Sequence, residues 1–279
     1  MGYRFSYSSD TIPDMTRSEV FPNAPLALVA AEVRYPAVTG GSLSMAVHRR
    51  IRDALDADWV IHNDTTQTLE VGVDAGGPRA SSRSETVERI TSRQRTRIVT
   101  ARPDNFTVEV VDYKHFADFR GLLEQASTAV ESVLQPDGIS RVGLRYIDEI
   151  TVPETPPQWS NWLETSLLPP SMPTGLDPTA WTGAVQYQVA PDQSLVFRYG
   201  PSAGPVVSSS GPLRRPAAPE GPIFMLDFDS SWQPSDIPSF EAERIVTVAD
   251  RLRSPLRELF DSLITPSLID IFRQDLGDD

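Results

Sequence analysis

Cysteine is absent from this 279-residue chain, and only three histidines are present. The absence of cysteine excludes a disulfide framework, a thiol nucleophile and a cysteine-ligated metal site. The histidines, His48, His62 and His115, do not have the spacing of paired metal ligands on one helix or strand. We therefore expect no cofactor and none of the common zinc or thiol chemistries.

Long apolar runs are also missing, because no stretch approaches the roughly 20 residues that a membrane-spanning helix needs. Residues 1–14 are polar and lack the apolar segment of a signal peptide. These absences predict a cytoplasmic protein without membrane contact.

Positive charge is in the minority, since the formal net charge is −13 and Lys114 is the single lysine among 25 basic residues. An acidic surface disfavours general attraction to nucleic acid or anionic lipid. Almost all of the basic charge is arginine, whose planar guanidinium suits carboxylates and phosphates. Codon bias in a GC-rich genome is the simpler explanation of that excess.

Hydrophobic periodicity predicts an α+β fold with largely antiparallel sheets and long amphipathic helices packed on one face. The clearest helix spans His115–Leu134, with an apolar stripe at 3.6-residue spacing. A second long helix begins near Pro238 and contains Pro255, which we expect to kink it. Short alternating segments around these helices are typical of strands.

Proline marks the predicted domain organisation. An N-terminal α+β half spans residues 1–152, a Pro-rich crossover spans 153–179, and a C-terminal α+β half that ends in the long kinked helix spans 180–279. The two halves are of similar size. The Pro/Gly/Ser-rich segment 200–221 is too long for a simple turn, so we expect it to be functional or disordered.

The segment RVGLRYIDEITVP, residues 141–153, alternates as a β-strand does but is rich in charge. Its apolar positions share one face, which predicts a buried side. Arg141, Arg145 and Glu149 share the other face. That charged face is either a solvated surface or a candidate binding surface.

Asp148 is an exception within this segment, because it has the parity of the apolar face. A carboxylate that is taken out of water needs a partner. We expect that partner to be Arg34 or a helix N-terminus.

The largest departure from the acidic composition is residues 79–102, which hold seven arginines and two glutamates. If Ile90–Thr100 is a single strand, three arginines project from one face about 7 Å apart. They are Arg93, Arg95 and Arg97. Such a row needs facing anions. These would be either an internal ladder with Glu109 and Glu149, or an acidic partner or phosphate-bearing ligand.

Two further acids, Asp227 and Asp229, share one face of the predicted strand FMLDFDSSW. Two carboxylates about 7 Å apart can hold a cation such as Mg²⁺, with water at the remaining positions. The alternative is a solvated face near a sheet edge, where charge discourages aggregation.

Three ordered stretches carry a family resemblance: FPNAPLALVAAEVRYP near the start, RVGLRYIDEI in the middle and LRELFDSLIT near the end. Together they resemble a sporadically distributed bacterial family of unknown function whose members have about this length. The resemblance implies a bacterial cytoplasmic protein from a mobile or defence-related gene neighbourhood. It supplies no catalytic residues, and the family commonly has Asn where this chain has Asp148.

These observations favour a non-enzymatic binding or accessory protein of the immunity, defence or antitoxin-like kind. Its partner would be an acidic protein or an anionic small ligand, bound by the arginines and Glu149 identified above. Two alternatives remain open. One is a metal-assisted or carboxylate-based hydrolase that uses Asp227 and Asp229, and the other is a nucleic-acid binder that uses the arginine strand, which the net charge disfavours.

Overall fold

The computed structural model describes residues 21–55, 58–74, 77–170, 178, 180–208, 211–215 and 218–274, with the backbone alone within 66–85. Nine strands and four helices follow one another along the described chain. In order they are β1 (Leu26–Arg34), α1 (Met45–Ala54), β2 (Trp59–Asp74), β3 (Gly77–Ser92), β4 (Arg97–Ala101), β5 (Asn105–Val110), α2 (Phe116–Leu134), β6 (Arg141–Ile150), β7 (Gly183–Ala190), β8 (Gln193–Ser202), β9 (Ile223–Trp232), α3 (Ala242–Leu263) and α4 (Pro266–Arg273).

All nine strands form one antiparallel sheet in the order β2-β3-β4-β5-β1-β6-β9-β8-β7. The predicted α+β class with antiparallel strands is confirmed. Strands from both predicted halves meet at the centre, where β6 pairs with β9. Residues 153–179 connect β6, in the middle of the sheet, to β7 at its edge.

The main core lies between one face of the sheet and the helices. Alternate residues of the central strands point toward this side, among them Val29, Leu144 and Phe228. The apolar stripe of α2 meets them through side chains such as Leu123 and Val130, which have no exposed surface. This burial follows from the period-2 pattern of the strands and the 3.6-residue pattern of the helix.

A smaller apolar cluster lies on the opposite face of the sheet, beneath the segment 200–221. Val207 and Leu213 of that segment pack on residues of the strands and their ends: Ala27, Ile98, Val111 and Ile147. The described part of this segment therefore covers part of the sheet face that the helices leave open.

The predicted single strand Ile90–Thr100 is wrong. The chain turns after Ser92, and β4 begins at Arg97. Ser92 stabilises the turn, because its Oγ accepts hydrogen bonds from the backbone N–H groups of Thr96 (3.2 Å) and Arg97 (3.2 Å). Arg95 occupies the turn with φ of 62°, a left-handed conformation that glycine or asparagine more often supplies.

Within the described chain, no helix has both the length and the apolar character needed to span a bilayer.

Candidate functional site

The face of the sheet opposite the helices carries a dense set of charged side chains. Strand alternation places them there, because their neighbours along each strand point into the core. The set comprises Glu32 and Arg34 on β1, Arg141 and Arg145 on β6, Arg198 on β8, and Asp227 and Asp229 on β9. The strand order brings these residues together from four separate parts of the chain.

Glu32 is shared by two arginines. Arg34 donates to its carboxylate from Nε at 2.9 Å, and Arg141 donates from Nη1 at 2.6 Å. Gly143 lies directly opposite Glu32, and a Cβ on Gly143 would stand 2.7 Å from Nη1 of Arg141. The Arg141 side chain therefore folds back over this glycine to reach Glu32, with Asp229 on its other side at 3.5 Å.

Asp227 is buried and holds the other central arginines. Arg145 donates to it from Nε at 2.7 Å and from Nη2 at 2.9 Å, a bidentate pair. Arg198 donates a third hydrogen bond, at 3.2 Å. The hydrogen bond to Asp227 raises the pKa of Arg145 further above its usual value. A cation at Asp227 would have to displace both guanidiniums, and the described residues hold no cluster of three or more His, Cys, Asp or Glu side chains suited to a metal ion.

Arg89, at the β3–β4 end of this face, makes longer polar contacts than Arg145. Its Nη1 donates to Thr100 at 3.3 Å, and its ion pairs with Asp64 and Glu109 are long, at 3.4 and 3.9 Å. Its Nε is buried and has no hydrogen-bond partner. Burial raises the pKa of Glu109 above its usual value, and the nearby Arg89 lowers it in part.

Most of these charged residues line a cleft of about 470 Å³ on the open face, whereas Asp64, Arg198 and Asp227 lie outside its lining. Small side chains lie among its lining residues, including Ala30, Thr107 and Gly143, which explains the depression between the larger arginines. The cleft has five arginines and three carboxylates, an excess of two positive charges in a chain of net charge −13. We call it the arginine cleft; its charged lining residues are Glu32, Arg34, Arg89, Arg102, Glu109, Arg141, Arg145 and Asp229.

Glu149 shares the sheet face of Arg141 and Arg145, as expected, but lies beneath the segment 200–221. Its carboxylate accepts the backbone N–H groups of Val206 (2.8 Å) and Val207 (2.7 Å) and is paired with Arg215. The side chain has no exposed surface. In the structure this residue anchors the segment and does not line the cleft.

Arg93, Arg95 and Arg97 do not form the expected row. Arg93 is an exposed turn residue 3.8 Å from Asp58. Arg95 donates from Nε to the carbonyl of Pro212 at 3.0 Å, which fastens the segment 200–221 to this turn. Arg97 pairs with Asp112 at 3.1 Å, so neither Glu109 nor Glu149 is its partner.

Sequence reasoning missed Glu32, Arg89, Arg102 and Arg198 as site residues. Arg89 and Arg102 fall within the arginine-rich stretch already identified, and the signal that separates them from their neighbours is the turn at Ser92. Glu32 and Arg198 are each the polar member of an alternating strand. Only the strand order shows that they lie on the same face of one sheet, where Glu32 lines the cleft and Arg198 holds Asp227 beside it.

The comparisons with known proteins add no relative, since neither a protein-family model nor a curated protein matches this chain.

Proposed function

We propose that this protein is a non-enzymatic binding protein and that the arginine cleft receives an anionic group of its ligand. The group would be a carboxylate of an acidic protein partner, or a carboxylate or phosphate of a small molecule. The observation that supports it most directly is the excess of arginine around one concave site on an otherwise acidic molecule.

Two arginines of the cleft have donor capacity that the described residues do not use. Arg102 is exposed and makes no ion pair with any described residue, while the buried Nε of Arg89 makes no hydrogen bond and has only a long contact of 3.4 Å with Asp64. A buried donor without a hydrogen bond is costly. An oxyanion that reached both guanidiniums would supply acceptors, and a guanidinium fork matches the geometry of carboxylate or phosphate.

Binding is favoured over catalysis by the way the carboxylates are used. Glu32 and Asp227 accept hydrogen bonds from two arginines each. Such acids serve to position guanidiniums and are poorly placed to take a proton from a substrate. For the same reason the hydrolase alternative, which depends on Asp227 and Asp229, receives no support from this geometry.

The nucleic-acid alternative depended on a row of arginines on one strand, and that row is absent from the described turn and β4. The resemblance to a bacterial family adds the expectation of an accessory, immunity or antitoxin-like role. That role is part of the proposal, and the arginine excess of the cleft supports only the anionic charge of the ligand.

The test is isothermal calorimetry with two probes, inorganic pyrophosphate and a hexaglutamate peptide, at low salt. We expect one of them to bind, and the change Arg102→Gln to weaken that binding at least tenfold. Arg120→Gln is the control, because Arg120 is a half-buried arginine on the helical side, where it pairs with Asp250 and Glu124 far from the lining of the cleft. It should change the affinity less than twofold.

The two probes separate the two sources of the anion. Preference for the peptide indicates an acidic protein partner, and preference for pyrophosphate indicates a phosphate-bearing small molecule. Absence of binding by both probes at millimolar concentration would refute the proposal, as would equal losses in Arg102→Gln and Arg120→Gln.

A further inference from the structure

Strand β7 forms one edge of the sheet and is unusually exposed. It pairs with β8 on one side, and no described strand pairs with its other side. Val185, Tyr187 and Val189 are 38%, 42% and 43% exposed, three of the five large exposed hydrophobic residues in the described chain. Val185 and Tyr187 lie opposite Phe197 and Leu195 of β8, which belong to the main core.

The edge of β7 lacks the usual protection against pairing with another strand. Natural edge strands commonly carry charged side chains or proline for this purpose. β7, with the sequence GAVQYQVA, has neither. The strand at the other edge of the sheet, β2, contains Asp64 in its described part.

The sequence of β7 reads the same in both directions around Tyr187. Residues 184–190 are AVQYQVA, so each residue on one side of Tyr187 has an identical residue at the same distance on the other side. When two such strands pair antiparallel with Tyr187 opposite Tyr187, valine lies opposite valine and glutamine opposite glutamine. Paired positions then share a face of the sheet, since they have the same parity.

We propose that the protein forms a two-fold symmetric dimer in which β7 pairs antiparallel with β7 of a second copy, with Tyr187 on the axis. The pairing joins the two nine-stranded sheets and covers the exposed Val185 and Tyr187 side chains. A second copy fits this edge because the strand is uncharged and self-complementary, as an isologous interface requires. A different protein would gain nothing from the palindrome.

The dimer is expected to be weak and dependent on concentration. An interface based on one strand of eight residues is smaller than the roughly 800 Å² per partner of a standard stable complex. We therefore expect a dissociation constant in the micromolar range. The register shift between Gln188 and Ala190 leaves residues 186–188, which pair only with one another about the axis, as the most regular part of the pairing.

Single cysteines test the register directly, because the chain has no cysteine of its own. In Tyr187→Cys, the two sulfurs meet on the axis, where antiparallel partners stand about 4.5 to 5.5 Å apart at Cα, within disulfide range. In the matched control Val185→Cys, the copies lie four residues apart along the strand, about 13 Å. Under mild oxidation, Tyr187→Cys should form a covalent dimer and Val185→Cys should not.

Charge at the axis gives a second, independent measurement by analytical ultracentrifugation. Tyr187→Lys and Tyr187→Glu each place two like charges face to face, and each should weaken dimerisation at least tenfold. An equimolar mixture of the two should recover association, because the charges then attract. Ile237→Lys, at a residue that is 60% exposed and lies outside β7, is the control and should leave the dimer unchanged.

The proposal is overturned by a wild-type protein that stays monomeric at all concentrations, by a dimer that Tyr187→Lys does not weaken, or by disulfide formation in Val185→Cys as fast as in Tyr187→Cys. Circular dichroism of each variant establishes that loss of the dimer is not loss of the fold. A stoichiometric complex on this edge with another protein would also contradict it.

Discussion

Asp148 leads to a prediction about how the stability of this protein depends on pH. Its side chain lies on the helix-covered face of β6 and the residue is 5% exposed. The expected partner Arg34 pairs with Glu32 instead, and no other partner of Asp148 is found among the described residues. Burial raises the pKa of Asp148 from 3.8 to about 8. The folded protein therefore holds a proton at neutral pH that the unfolded chain releases.

The sign and size of the effect follow from linkage. Between pH 4 and pH 8 the folded state binds more protons than the unfolded state, so the free energy of unfolding falls as pH rises. One pKa unit corresponds to about 1.4 kcal/mol. The raised pKa of Asp148 therefore lowers the free energy of unfolding by about 4 kcal/mol at pH 7 relative to its value below pH 4.

The perturbation is Asp148→Asn, which keeps the shape of the side chain and removes the titration. We expect the variant to be more stable than the wild type at pH 7. The difference should grow by about 1.4 kcal/mol per pH unit between pH 5 and pH 8 and level off above pH 8.

Urea unfolding at pH 5, 6, 7, 8 and 9, followed by tryptophan fluorescence, measures that difference. Asp250→Asn is the control, because Asp250 is an exposed carboxylate of α3 whose pairing with Arg120 contributes little; it should change stability by less than about 0.5 kcal/mol. A difference between Asp148→Asn and the wild type that does not vary with pH would refute the reasoning.

The charged face gives two further predictions. Glu149→Gln leaves Arg215 buried beside an uncharged partner, so we expect the free energy of unfolding in urea to fall by about 3 kcal/mol. The segment 200–221 should also loosen, and tryptic cleavage at the Arg214–Arg215 bond should accelerate at least tenfold. An unchanged cleavage rate would show that Glu149 does not hold this segment. Asp227→Asn removes the negative charge that Arg145 and Arg198 share and replaces one acceptor oxygen by an NH₂ donor, which should cost about 2 kcal/mol. An effect no larger than that of Asp250→Asn would contradict the importance of this cluster.

Local patterns in the sequence identified the helices and the central strand well. The helix predicted over His115–Leu134 is observed as Phe116–Leu134, because a long apolar stripe at 3.6-residue spacing has few alternatives. The strand that begins at Arg141 is observed with the predicted inward and outward faces. Asp148 is buried, as its parity indicated.

The turn at residues 93–96 shows why the candidate site was partly misplaced. It contains neither glycine nor proline, and a side-chain oxygen of Ser92 and a left-handed Arg95 make the reversal. Residue types alone carry little signal for such a turn. The cleft also depends on β1 lying between β5 and β6, and on β9 lying beside β6, an order that local periodicity does not encode.

The charged side chains of the open face are more numerous than folding alone requires. Cross-strand ion pairs contribute only about 0.2 to 1 kcal/mol each, and exposed pairs such as Arg34 with Glu32 contribute at the lower end. Threonine or valine would serve the sheet equally well at these positions. An anion-binding surface, by contrast, benefits from arginines that carboxylates already orient and that keep unused donors. Their side-chain conformational entropy is lost on folding, so the ligand does not have to order them. The measurement of Arg102→Gln against Arg120→Gln therefore bears on why this face is charged at all.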